Sequence, residues 1–311
     1  MQIKPIKVGS VKLSNNVFLA PMAGYTDYAY RHTAIPLGYG LTFTELVSAK
    51  GLCYGGNGSK DLLYAKGDYD KTAVQLFGED AFFLRKACES DDLNDFDIVD
   101  INMGCPVPKV FKNGEGSALL TDIKKAENII KECVKSGKII TVKIRTGQVK
   151  GDDVATDFAK MAEDSGASLI TIHGRVREAY YSGEVDFNAI AKAKKSVGIP
   201  VIANGGVFTT CDADELMNKT GADGVMLARG AIDNPFLVCE LLGKNPPFYI
   251  KDFIISQLNI MLERYGERSA VEFRKFIPCY FKGRLNFKET RFKLLNMESV
   301  SEIIEFINQI D

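Results

Sequence analysis

Residues that bind or move charge gather where short apolar runs of this chain end. Lys143 and Arg145 stand two apart in the run IITVKIR, so in an extended strand their side chains face the same way. His173-Gly174-Arg175 closes the run LITIH, Asn204-Gly205-Gly206 follows PVIA, and Ala228-Arg229-Gly230 follows GVML. Pro21-Met22-Ala23-Gly24, Glu45, Gln75 and Asn102-Met103-Gly104-Cys105-Pro106 hold corresponding places in four earlier runs. The glycines at 205, 206 and 230 let the backbone approach a ligand closely, and Arg229 adds a fixed positive charge, which together suit a phosphate. A lone Gly-Gly is equally an ordinary turn; two such loops, one with an arginine, argue for the anion. A lysine in the middle of a buried strand is costly without a partner, either an anionic ligand or a structural carboxylate. His173 is open to a ligand-binding or a structural reading in the same way.

The elements that must position these groups are eight strands. β-Branched or apolar runs cover residues 16–20, 41–47, 73–77, 98–102, 139–145, 169–173, 199–203 and 224–227. Stretches with apolar spacing of three and four lie between several of them, at 122–135, 153–164 and 211–219. Strand and helix alternating eight times predict an α/β fold, a (β/α)₈ TIM barrel. Such barrels work at the C-terminal ends of their strands, with phosphates held after the seventh and eighth, where the two glycine loops fall. A doubly wound open sheet would carry an early G-x-G-x-x-G, and none follows the first run. Past Asn245-Pro246-Pro247 only helical stretches follow, clearest at 252–264 and 300–310. The reading is a barrel over 1–245 and a small C-terminal helical domain over 246–311.

The length of 311 residues suits a barrel of roughly 250 with an appendage. Net charge is −1, so a polyanionic partner has to be recognised by local charge. Seven cysteines without a C-x-x-C, and only two histidines, predict a reducing compartment and no metal. No apolar run approaches the roughly 20 residues of a membrane span. Residues 1–5 lack the apolar stretch of a signal peptide. A cytoplasmic location is expected. Apart from Cys105, the cysteines read as small buried hydrophobes.

At these residues the chain resembles the tRNA-dihydrouridine synthase family, its bacterial B-type branch in particular. The matching segments are APMAGYTD from Ala20, TELV from Thr44, QLFG from Gln75, DINMGCP from Asp100 and GSALL from Gly116. VKIR from Val142, IHGR from Ile172, ANGG from Ala203 and RGA from Arg229 continue the set in order across the barrel. The resemblance implies reduction of a uridine in tRNA with FMN as cofactor and NADPH as electron donor. It implies FMN contacts from Pro21, Met22, Ala23, Gln75, Lys143, His173, Asn204, Gly205, Gly206, Ala228 and Arg229. It further implies Cys105 as the catalytic acid, with Asn102, Arg145 and Arg175 near the substrate uracil. The family often has Asp at Gly206, Gly at Ala228 and Trp at Phe236, and this chain has no tryptophan. None of these departures removes a group that the reaction needs. A thiol suits an acid role, because its ordinary pKa near 8.5 keeps it protonated at neutral pH. Cys105 opens a mostly polar loop to Glu115 that is free to close over a substrate.

The tRNA contact falls on residues 274–293, where seven Lys and Arg, Lys282 and Arg291 among them, face the single acid Glu289. Tyr280, Phe281, Phe287 and Phe292 interleave with them. By itself such a segment is also an ordinary solvated helix. Two other functions share parts of this pattern. A flavin barrel acting on a small molecule, such as a dihydroorotate or dihydropyrimidine dehydrogenase, needs no basic helical domain. An RNA-binding protein with a vestigial flavin site needs no Cys105.

Overall fold

All eight apolar runs are strands in the computed structural model, which describes residues 1–281 and 287–309. An antiparallel hairpin, β1 (Ile6–Val8) and β2 (Val11–Leu13), precedes them. The barrel strands are β3 (Val17–Leu19), β4 (Thr42–Ser48), β5 (Thr72–Phe77) and β6 (Ile98–Met103), then β7 (Ile139–Arg145), β8 (Leu169–His173), β9 (Val201–Asn204) and β10 (Gly224–Leu227). Parallel ladders join β4 through β10 in sequence, and β10 to β3. The Leu19 N–H donates to the Leu41 carbonyl at 2.9 Å beside a Phe18–Leu41 bridge, which brings the two ends of the sheet together. The ring is closed.

Closure splits each strand by its period of two. One set of side chains, including Val74, Ile101, Val142, Ile172 and Val225, packs outward against the surrounding helices in the larger core. The other set, Phe18, Phe43, Ala73, Ile98, Leu169, Ile202 and Met226, fills the interior. Ile6, Val8 and Leu13 of the hairpin belong to that inner cluster, so β1 and β2 form its floor. The sequence reading has no counterpart for this hairpin. Its strands are three residues long, too short to show a period.

The helices are set by their ends. Asp122, Asp186 and Thr209 accept backbone N–H groups at the starts of helices Ile123–Val134, Phe187–Ser196 and Thr210–Thr220. Residues 105–115 are more ordered than a loop, because Pro108 starts a short helix, Pro108–Lys112. Of the cysteines, Cys88, Cys133 and Cys239 are buried as expected, whereas Cys211 is exposed and Cys53 and Cys279 are half-buried. Cys211 sits in the first turn of its helix, where the apolar spacing that suggested burial does not reach the core side.

Beyond the barrel, helices Ile250–Tyr265, Arg268–Phe273, Ile277–Tyr280, Phe287–Asn296 and Val300–Gln309 follow one another. Aromatic rings join them to the barrel. Phe276 stacks on Tyr30 at 5.9 Å between centroids and meets the edge of Tyr25 at 5.5 Å, while Phe253 meets Tyr30 at 5.8 Å. Tyr25 and Tyr30 directly follow β3, so these helices pack beside one rim of the barrel mouth.

Closure also constrains Gly224 at the start of β10. A Cβ there would lie 2.5 Å from the Asn16 carbonyl oxygen and 2.8 Å from Cδ1 of Ile202. Gly224→Ala is expected to cost about 1–3 kcal/mol through forced backbone movement, read as a lower urea midpoint at an unchanged m-value.

Candidate active site at the barrel mouth

A cavity of about 650 Å³ opens at the C-terminal ends of the barrel strands, a size that suits a nucleotide cofactor. Pro21, Met22 and Ala23 line it after β3, Asn102 and Cys105 from β6, and Lys143 and Arg145 from β7. His173 and Arg175 line it from β8, Asn204, Gly205 and Gly206 from β9, and Ala228 and Arg229 after β10. Two expected residues stand outside the cavity wall. Gln75 is fully buried and is not part of the cavity wall. Arg291 is exposed on helix Phe287–Asn296 and is not part of the cavity wall. Lys282 lies outside the described residues.

The cavity is cationic. Among the described residues Lys143 makes no ion pair, so no structural carboxylate neutralises it directly. Burial, and then the neighbouring Arg145, push its ammonium down to about 8, against the pull of the Asp100 and Cys105 charges. His173 is 7% exposed, and burial followed by Lys143, Arg145, Arg175 and Arg229 holds it well below the usual histidine range. It is therefore neutral at pH 7, and its Nε2 lies 3.3 Å from Arg175 Nη1, a donor.

Arg145 and Arg175 are held by loop carbonyls. Arg145 donates to Gly104 at 2.9 Å, Val176 at 3.0 Å and Tyr180 at 2.8 Å. Arg175 donates twice to Gly183, at 3.0 and 2.9 Å. Tyr180 takes a left-handed backbone, φ +48°, uncommon for a bulky residue, and the Arg145 bond to its carbonyl helps hold it there. The neighbouring Tyr181 lines the cavity with its ring under Arg229 at 5.0 Å and near Arg145 at 5.7 Å. Tyr181 escaped the sequence reading, whose only signal was a pair of tyrosines in an otherwise polar loop.

The two glycine loops press on each other. A Cβ on Gly230 would lie 2.1 Å from the Val207 carbonyl oxygen, and one on Gly205, whose φ is +121°, would lie 2.9 Å from the His173 ring. Glycine is required at both for close approach, and Gly206, at φ +73°, for its conformation. With Arg229 on the wall, this corner has the close backbone and positive charge that suit an anion.

Cys105 faces the opposite side of the same cavity. Its carbonyl accepts from the Ser117 N–H at 3.1 Å and Ser117 Oγ at 2.9 Å. A Cβ on Gly116, φ +60°, would lie 2.9 Å from that oxygen, which accounts for the Gly116-Ser117 pair. The Cys105 N–H donates to Asn102 Oδ1 at 2.9 Å. Burial raises the thiol above its usual range, outweighing the Val107 N–H, Arg145 and Lys143, which pull the other way. At neutral pH the thiol keeps its proton, the state suited to an acid rather than a nucleophile.

Glu45 owes its position to a register shift between Phe43 and Leu46 in the β4–β5 ladder. There its carboxylate accepts from the Gly24 N–H and supports the turn after β3.

Known proteins resemble this chain over most of its length. The family model described as dihydrouridine synthase matches residues 18–308. A probable tRNA-dihydrouridine synthase of Rickettsia conorii is 36% identical over 298 residues, covering 92% of this chain and 90% of that protein. The tRNA-dihydrouridine synthase B of Pasteurella multocida is 35% identical over 289 residues, covering 89% and 87%. Among solved structures, the old yellow enzyme homologue of Zymomonas mobilis superposes with a TM-score of 0.56 at 13% identity, covering 78% of this chain and 92% of that one, which speaks to the barrel alone. By the extent of the family match and by these relatives, the chain belongs to the dihydrouridine synthase family.

Proposed function

We propose that the mouth cavity holds FMN and that the protein reduces a uridine of tRNA, with Cys105 giving the proton and NADPH the electrons. The observation that carries the reading is one cavity bearing a lysine without an ion pair among the described residues on one wall and a protonated thiol on another. The donor set fits an anionic flavin nucleotide. Gly205, Gly206, Ala228 and Arg229 would receive the phosphate; Pro21, Met22, Ala23, His173 and Asn204 would border the ring. Lys143 would face the edge of the ring that becomes anionic on reduction. Gln75, outside the wall, would act through Asn102, whose amide it bonds.

The chemistry supplied by bound FMN is hydride transfer, in from NADPH and out to C6 of the uracil. The protein supplies the rest. Cys105 would deliver a proton to C5 from the face of the uracil away from the ring, and Asn102, Arg145 and Arg175, which line the same cavity, would orient the base. A uridine reaches this depth only after leaving its stack, at a cost of a few kcal/mol. Residues 246–311 then serve as the tRNA-binding domain. Lys288 and Arg291 are exposed on helix Phe287–Asn296, and Lys293 is exposed but paired with Glu289. Arg274 bonds the Met297 carbonyl and Lys275 pairs with Glu272, so these two serve packing. The cytoplasm, where tRNA and free thiols coexist, is the fitting compartment.

Three outcomes test this reading. FMN binding to the cofactor-free protein is expected to weaken as pH rises through about 8, where Lys143 loses its charge, and Lys143→Met should bind more weakly and lose that limb; fluorescence titration across pH reads both. In Cys105→Ala, flavin reduction by NADPH should keep its rate while reoxidation by unmodified tRNA slows about 10²–10⁴-fold, followed as single-turnover flavin absorbance. Fast reoxidation in that variant removes Cys105 from the mechanism. Arg291→Glu should weaken tRNA binding and flatten the log–log salt dependence by about one unit, leaving NADPH oxidation untouched; an unchanged slope would place the tRNA elsewhere.

A further inference from the structure

Beneath the cavity the barrel interior holds a carboxylate that the proposed chemistry does not use. Asp100 points inward from β6, two residues before Asn102, and is 1% exposed. Its Oδ1 accepts from Thr141 Oγ1 at 2.6 Å and its Oδ2 from Gln75 Nε2 at 2.7 Å. Gln75 Oε1 in turn accepts from Asn102 Nδ2 at 2.8 Å. Asn102 Oδ1 then takes the Gly104 and Cys105 N–H groups, at 3.2 and 2.9 Å.

We propose that Asp100 is a positioning residue, whose carboxylate fixes the direction of this buried chain and thereby holds Cys105 at the cavity wall. An ionised carboxylate only accepts, so Gln75 has to turn its NH₂ downward and its oxygen toward Asn102. Asn102 must then present its own NH₂ to Gln75, which leaves its oxygen for the two backbone N–H groups. Reverse the chain and the Asn102 NH₂ faces those N–H groups, donor against donor. A neutral residue at position 100 that both donates and accepts releases the lower end, and the direction then rests on those two N–H groups alone. The groups around Asp100 are Gln75 on β5, Thr141 on β7 and, as the nearby charge, Lys143 on β7; Arg145, neutral His173 and Cys105 stand above them. Burial pushes the Asp100 carboxyl up to about 6, although the Thr141 and Gln75 hydrogen bonds and Lys143 pull it down. Protonation near that pH gives the carboxyl a donor and removes its constraint on the direction.

The proposal rests on the reading of Cys105 as proton donor for its catalytic meaning, and its test does not. Backbone amide exchange is measured at Gly104 and Cys105 in the FMN-loaded protein, corrected for intrinsic rates. Asp100→Asn is expected to quicken exchange at these amides at least tenfold. Thr141→Val, which removes the other bond to the same carboxylate and leaves the direction intact, should change it less than threefold. The wild-type protein should itself lose protection there as pH falls through about 6, so the test survives an Asp100→Asn variant that fails to fold. Equal exchange in the two variants, or flat wild-type protection from pH 7.5 to 5, overturns the proposal. Quickened exchange with unchanged reoxidation by tRNA upholds the chain and counts against Cys105 as the donor, which separates the two readings.

Discussion

Once eight strands are hydrogen-bonded into a ring, the period of two along each leaves no freedom about which side chains point inward. That constraint decides the rest of the molecule. Lys143 and Arg145 share a side with Thr141 because they are even steps apart on β7, and Asn102 stands above Asp100 and Ile98 for the same reason. A one-residue slip in any ladder would send the mouth residues into the helix layer, where a lysine has no water and no partner. The outward core of aliphatic side chains holds the register that keeps the charges in place.

The mouth is also its own scaffold. Arg145 and Arg175 look like binding residues by charge, yet each bonds carbonyls of the loop after β8, and Arg145 bonds the Cys105 segment as well. A guanidinium, with five donors in a rigid fork, can hold loops together and still leave positive potential at the surface of the cavity. Removing either charge would therefore disturb the shape of the site along with its field. Lys143 differs, because among the described residues nothing pairs with it.

Much of this was legible from the order of residues. The eight runs, the glycine loops after the seventh and eighth, and the inward pairing of Lys143 with Arg145 follow from local periodicity. The parts that were not legible depend on residues distant in the chain. The floor hairpin at Ile6–Leu13 has strands too short to show a pattern, and Glu45 owes its position to a slipped ladder with β5. Asp100 reads as one polar residue in IVDIN until Gln75 and Thr141, 25 and 41 positions away, are seen to converge on it. Cys211 shows the opposite failure, an apolar residue type at a helix start that no packing partner covers. Lys282 remains a sequence expectation, since it lies outside the described residues.

The floor has a bearing on traffic. Ile6, Val8 and Leu13 close the N-terminal end of the barrel with hydrocarbon, and the cavity opens at the other end. Under the proposed function, whatever brings electrons and whatever takes them away would share that opening. A folded nucleic acid leaning across it would compete with a second visitor for the same space. That arrangement would favour turn-taking, with the donor departing before the acceptor is seated.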